Sequence, residues 1–319
     1  MKRRISKRGE GKMKGFKKGE FKLDLDSFFR LESASSTALA TILLFGIIFS
    51  VFSVVYLGYV PEWKTDEEHS HMSKLWEDMI ELKSKIDKTT IVMMSTPNSS
   101  VPKFTTTMIL HTGNSKIPFI SSTKSTGTLS LNTDLCKMVI TPTNENATVI
   151  NCGTIAYNSN NKDYTDQIFK YENGALILAQ KEKAVMKLYP SIRVSEVSSG
   201  NYTFFINTVE ILGMANTLSS NSDGSIRLKG GSFETLYDSD TSENEGAFLL
   251  TVYTDHPDAW EEYFNETMAG AGLVTDEDYA LDRIGSNYLT FIFPEKGSAN
   301  SLRRLYVGKT AINAELGIG

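Results

Sequence analysis

Three hydrophobic patterns follow one another along the chain. From Ser33 to Pro61 no charged residue occurs, and the apolar heart, Ala38 to Val60, has no polar face at any 3.6-residue phase. As a helix its 23 residues would extend roughly 34 Å at ~1.5 Å per residue, enough to cross a hydrocarbon core of ~30 Å. A core helix of a soluble domain would keep one polar side, and a cleavable secretory signal has a hydrophobic region of only ~7–15 residues. The pattern predicts a transmembrane helix over residues 34–60, with Tyr56, Tyr59 and Trp63 in the interfacial belt at its outer end.

Beyond Pro61 the pattern becomes one-sided. Met72, Leu75, Met79, Leu82 and Ile86 recur at helical intervals, with Trp76 and Ile80 widening the stripe, which predicts an amphipathic juxtamembrane helix over 61–88. Such a stripe needs a partner surface. The body of the same chain and self-association with neighbouring copies, as a short coiled coil or filament core, are the two destinations open to it.

From Thr89 to the end, residues 89–319, short runs rich in Val, Ile, Phe, Tyr and Thr alternate with Gly, Asn, Ser and Pro. They begin with "TTIVMMS" and "KFTTTMILHT" and end with "NYLTFIF" and "RRLYVGKT"; "GSIRLKG" and "SFETLYD" read as two separate strands. Asn173-Gly174 in "YENGALILAQ" suits a type I′ hairpin turn, which needs two positive φ angles. In "DHPDAWEEYFNETMAGAG", Pro257 opens a helix with Trp260, Phe264 and Met268 on one face. The fold class expected is mainly β: an N-terminal transmembrane helix and an amphipathic helix, then an antiparallel β-sandwich-like ectodomain with one inserted helix. A boundary near Ser219 to Gly224 would divide that domain in two; one domain is the preferred reading.

Charge gives the orientation. Residues 1–32 hold eleven Lys and Arg against five acids, a head of +6 within a chain of net −5, so about −11 falls on the rest. By the positive-inside rule the tail 1–33 stays cytoplasmic, next to anionic lipid, and the acidic body is exported. A basic tail abutting a membrane helix is a topology signal, and no nucleic-acid partner is inferred from it.

The two cysteines, Cys136 and Cys152, flank a hairpin in which Met138 would face Ile150 and Val139 face Val149. That register sets the cysteines opposite each other, at a separation suited to a disulfide, and an exported domain permits one. Sequons at Asn98, Asn146, Asn201 and Asn265 are possible glycosylation sites, near the number chance would supply in a chain of this composition.

The basic head, "ESASSTALATILLFG" and the passage through "YVPEWKTDEEHSHM" into an amphipathic helix resemble the N-terminal module of archaeal type IV pilin-like and archaellin-like proteins. "YENGALILAQKEKAVMKLYPSIRVS" and "DHPDAWEEYF" are similar to segments of uncharacterised archaeal membrane-anchored envelope proteins built on that plan. The resemblance implies a surface location, with an uncleaved signal-anchor and a processed filament subunit both open. Arg30 is followed by Leu31 and Glu32, and Thr37 stands where pilins often carry an early Glu.

Candidate chemistry is sparse. Ser121 and Lys124 match a Ser-x-x-Lys pair, and Gly308 to Ala311 imitates the accompanying Lys-Thr-Gly strand, but "SSTKSTGT" reads as a loop where that nucleophile must open a helix. His69 and His71, two apart, point to different sides of a helix, and neither His111 nor His256 has an evident ligand neighbour. Asp238, Asp240 and Ser242 begin like a calcium loop, yet Glu243 holds the glycine position and Leu249 the place of the bidentate acid. No catalytic residue, metal site or cofactor is assigned. The expectation is a single-pass cell-surface protein, with its C-terminal domain outside and a structural or interaction role in the envelope. Its partners would be the bilayer and copies of itself or other envelope proteins; a ligand-binding or sensory ectodomain is the first alternative and an envelope hydrolase the second.

Overall fold

The computed structural model describes residues 25–95, 104–112, 126–143, 145–219, 222–240, 246–283 and 285–318. The chain forms two compact units, residues 1–60 and 61–319. The first holds helix α1, Leu25–Val54, and a π-helical turn, Val55–Tyr59. In that turn the Val60 N–H bonds back to the Val55 carbonyl, five residues away. Pro61 follows in sequence and has no N–H to give, so a widened turn upstream of it removes the clash its ring would make with the carbonyl four residues back.

The second unit opens with helix α2, Val60–Ser95. Its strands are β1 (Thr105–Leu110), β2 (Thr126–Leu131), β3 (Cys136–Pro142), β4 (Thr148–Asn151), β5 (Thr154–Asn160) and β6 (Ile168–Glu172). Then come β7 (Ala175–Gln180), β8 (Lys183–Leu188), β9 (Ile192–Ser198), β10 (Asn201–Leu212), β11 (Asn216–Ser219) and β12 (Gly224–Asp240). After β13 (Phe248–Thr254) stands helix α3 (Pro257–Gly270), followed by β14 (Ala280–Asp282), β15 (Tyr288–Phe293) and β16 (Ser301–Ile318).

The strands gather into three sheets, ordered β1-β12-β16-β10-β9, β11-β2-β5-β6-β7-β8 and β14-β15-β13-β3-β4. Pairing is antiparallel except between β10 and β16, which run parallel. The protein is thus mainly β with antiparallel sheets. Asn173 and Gly174 both have positive φ, 46° and 82°, in the β6–β7 turn, as the Asn-Gly signal required. The Asn173 side chain also ties that turn to the first sheet, its Oδ1 accepting from the Val209 N–H at 2.9 Å.

Two cores result. One gathers the third sheet, α3 and the start of β10, through Phe204, Phe248, Trp260, Phe291 and Phe293. The other gathers α2 with faces of the first and second sheets. Along β10, Tyr202, Phe204 and Ile206 enter the first core and Val209 and Ile211 the second. Alternation puts these two sets on opposite faces of the strand, so one sheet serves as a wall of both cores.

The α2 stripe settles in the second core: Met72, Leu75, Met79, Leu82 and Ile86 are each at most 2% exposed. It is covered by the body of its own chain, the first of the two destinations open to it. Glu68, fully buried, accepts from three successive backbone N–H groups, those of Lys162, Asp163 and Tyr164.

Several elements differ from the sequence reading. "TTIVMMS" continues α2 and is not a strand. No Gly or Pro intervenes before Pro97, and the Thr89 and Ser95 hydroxyls donate to the carbonyls of Lys85 and Ile91 four residues back, both at 2.8 Å. "GSIRLKG" and "SFETLYD" merge into β12, because the register shift between Gly230 and Ser232 absorbs Gly231 as a bulge. A β-carbon on Gly231 would lie 2.8 Å from the Ala311 carbonyl oxygen, so that bulge admits only glycine without a shift.

Truncating the buried stripe should cost far more than truncating its shoulder. Leu75→Ala is expected to destabilise the full chain in detergent by about 2–5 kcal/mol. Ile80→Ala, at a side chain 38% exposed, should cost about 1 kcal/mol or less. Chemical denaturation followed by circular dichroism checks the contrast.

Candidate functional site

On α1 and the π turn the large apolar side chains from Leu39 to Tyr59 are exposed, save the half-buried Val55, with Leu43 and Phe49 at 67% and Leu57 at 76%. Among the described residues this is the one helix whose length and composition would let it cross a membrane. Tyr56, Tyr59 and Trp63 are exposed as well. The basic residues Lys2 to Lys22 lie outside the described residues.

A second feature is a buried ionic cluster where the second and third sheets meet α3. Lys170 and Glu172 lie two apart on β6 and so share a face, with exposures of 1% and 0%. Three of their four cross-strand neighbours are small: Lys170 pairs with Ala156 and Ile177, and Glu172 with Thr154 and Ala175. Lys170 Nζ donates to Asp255 Oδ2 at 2.9 Å and lies 3.5 Å from both Asp134 Oδ2 and Glu172 Oε2. Glu172 Oε1 accepts from Trp260 Nε1–H at 2.5 Å and from the Thr254 hydroxyl at 2.7 Å. Glu172 Oε2 is buried with no hydrogen-bond donor.

Burial raises the Glu172 pKa above its ordinary value, outweighing the opposing pull of Lys170 and of the Trp260 and Thr254 bonds. Desolvation alone would lower Lys170, but Glu172, Asp255 and Asp134 together hold its ammonium and raise its pKa. Beside it, burial and the Lys170 charge push His256 down. The cluster therefore combines a firmly charged amine, two partly open aspartates and a carboxylate inclined to hold a proton.

Cys136 and Cys152 border this cluster as free thiols, and the expected disulfide is not formed. The register around them is the anticipated one, with Met138 facing Ile150 and Val139 facing Val149. The ladder ends at Lys137 and Asn151, however. At Cys152 the N–H still bonds to the Cys136 carbonyl, while its own carbonyl has turned to accept from the Ile211 N–H at 2.6 Å. The backbone is leaving the hairpin at that residue, so the two positions are not a regular cross-strand pair. Burial and the neighbouring Cys152 raise the Cys136 thiol well above its ordinary pKa, which keeps it unreactive.

The other candidates are dispersed. Asn146 is exposed, Asn201 bonds through Nδ2 to Ser198 Oγ at 3.0 Å, and Asn265 sits on α3 with Oδ1 accepting from Thr275 and Tyr279. Asn98, Ser121 and Lys124 lie outside the described residues, as do Ser242 and Glu243. Asp238 forms a two-point pair with Arg304, both bonds at 2.8 Å, which lowers its pKa. His111 hydrogen-bonds Asp78 at 3.0 Å, and the His71 Nε2 meets the His111 carbonyl oxygen at 2.8 Å. Among the described residues no three His, Cys, Asp or Glu are placed to hold a metal. A cleft of about 390 Å³ between β8 and α3 includes Tyr189, Tyr263 and Glu266, but Tyr189 OH already donates to Glu266.

Sequence reasoning passed over Lys170 and Glu172, because a Lys and a Glu alternating with Phe169 and Tyr171 imitate an exposed strand face, and it read Trp260 only as part of an apolar helix face. The available signal lay next door: "ALILA" in β7 is apolar on both faces, which marks a strand covered on both sides, and β6 is its hairpin partner.

Glu172 binds a proton more readily folded than unfolded, so its ionisation withdraws stability as pH rises from the ordinary carboxylate range through its raised pKa. Glu172→Gln should flatten the pH–stability profile across that window in thermal melts. Trp260→Phe, which deletes one donor to the buried carboxylate, should cost about 1–3 kcal/mol and steepen the same decline. Comparison with protein-family models, with curated proteins and with solved structures gives no match for this chain.

Proposed function

We propose that the chain is a single-pass, membrane-anchored cell-surface protein, pilin-like in plan, with a structural or interaction role in the envelope. The carrying observation is the all-round exposure of α1 beside the complete burial of the apolar stripe on α2. Fourteen large apolar side chains from Leu39 to Tyr59 stand exposed. At ~1.5–3 kcal/mol each, leaving them in water would cost roughly 20–40 kcal/mol, against a typical folding stability of about 5–15 kcal/mol. An aqueous existence is thereby disfavoured, and a helix apolar on every side suits lipid better than a one-sided protein groove.

The lysine-rich tail supports a cytoplasmic N-terminus and an exported body. We read the exported part as a sandwich-like ectodomain, its sheets closed over two cores and one helix, α3, inserted between strands. With the α2 stripe already occupied, contacts with other envelope components would use sheet edges and loops.

Carbonate washing of vesicles, with protease treatment of intact cells carrying a C-terminal epitope, tests location and orientation together. The wild-type chain should stay in the pellet and lose its epitope to external protease. Leu44→Lys combined with Phe49→Lys, at about 2.5–3.5 kcal/mol per mid-span charge, should shift the chain to the supernatant. Release of the wild-type chain, or a protected epitope, would overturn the reading.

A further inference from the structure

The ionic cluster holds a buried primary amine in contact with a partly exposed carboxylate, with a second, buried carboxylate alongside that has an idle oxygen. We propose that Lys170 and Asp255 condense into an intramolecular amide, an isopeptide bond joining β6 of the second sheet to the residue that follows β13 of the third, with Glu172 as the proton carrier. Lys170 Nζ is already 2.9 Å from Asp255 Oδ2, whereas Asp134 Oδ2 and Glu172 Oε2 are each 3.5 Å away.

The reaction balances without an outside reagent. An ammonium and a carboxylate contain the atoms of one amide and one water, and their charges cancel. Nζ first passes a proton to Glu172 Oε2, which has no hydrogen-bond donor of its own. The freed lone pair attacks Cγ of Asp255 and the N–C bond forms. One C–O bond of the former carboxylate then breaks, and that oxygen leaves as water, taking a second proton from the nitrogen and the one carried by Glu172. The carboxylate has regained its charge and the lysine has lost its own.

The three carboxylates that hold the Lys170 ammonium oppose the first proton transfer, and the placing of the acceptor offsets them. Glu172 Oε1 is pinned by Trp260 and Thr254, so Oε2 is held towards the amine. A carboxylate made more basic by burial is a better acceptor for the ammonium proton. Fixing the two reactants in contact within one fold corresponds to effective molarities of about 10⁵–10⁸ M in well-oriented cases. Lys170 is sealed at 1% side-chain exposure, which disfavours the reverse hydrolysis, while Asp255 at 41% leaves an exit for the water released.

Peptide mass spectrometry of the full chain, purified in detergent and digested after denaturation, decides the matter. The expected result is a branched peptide joining the Lys170 and Asp255 segments, lighter by one water than its two parts. Asp255→Asn should give the same branch lighter by one ammonia, since the amide nitrogen then leaves. Glu172→Gln should yield unlinked peptides while its circular dichroism stays that of the folded protein. Unlinked wild-type peptides, with Lys170 fully open to acylation after denaturation, would overturn the proposal, as would a branch ending on Asp134. The wild-type measurement decides even if the Glu172 variant fails to fold, and none of these results depends on where the chain resides in the cell.

Discussion

The second unit depends on the seating of one helical stripe. Met72, Leu75, Met79, Leu82 and Ile86 sit in a core with Ile226, Leu228 and Ile312 from the first sheet and Leu129, Ile155 and Phe169 from the second. Both sheets need this cover, because an apolar sheet face is stable only when another layer buries it. Trp76 extends the contact, its ring 5.5 Å from that of Phe169, and Glu68 fastens the turn at Lys162 to Tyr164 to the same helix. A stripe used in this way has no surface left for a coiled coil. The pattern of burial therefore divides two helical stretches of one chain: the α2 stripe is covered by its own sheets, whereas the apolar side chains of α1 are left exposed among the described residues.

Long strands follow from having two cores. β12 and β16 span 17 and 18 residues, and β16 sends Leu305 and Val307 to one core and Ile312 and Ala314 to the other. A shorter strand would serve a single face of a single core. The parallel pairing of β10 with β16 keeps this division in register, since Ile206 pairs with Val307 and Ile211 with Ile312.

Much of this was legible because it rests on local chemistry. The all-apolar span, the 3-4-3-4 stripe, the Asn173-Gly174 turn, Pro257 at the head of α3 and the Met138–Ile150 register are set by neighbours within one element or one hairpin. What escaped depends on distant surroundings. Gly230-Gly231 looked like a stop and became a bulge, because β16 continues alongside it. β5, "TIAYNSN", lacked alternation because Ile155, Ala156 and Tyr157 are buried on successive faces. The cysteines satisfied the hairpin geometry, yet Ile211, nearly sixty residues on, draws the Cys152 carbonyl away. Lys170 and Glu172 were hidden by the same alternation rule that located most other strands.

The ionic cluster is the costliest feature of the interior. An apolar set of similar volume is often as stable as a buried ion pair, because desolvation cancels much of the attraction, whereas losing one member of an existing pair is severe. Compensation here is uneven: Lys170 has three carboxylate neighbours within 3.5 Å, and Glu172 Oε1 has two donors while Oε2 has none. Fixing the alignment of two sheets would account for the pairing of Lys170 with Asp255, but it gives no use to the idle oxygen of Glu172. Proton transfer to that oxygen does. An amide in place of the Lys170–Asp255 pair would remove the buried charge that the fold must otherwise keep matched, and would convert a contact sensitive to pH and solvent into a covalent tie between two sheets.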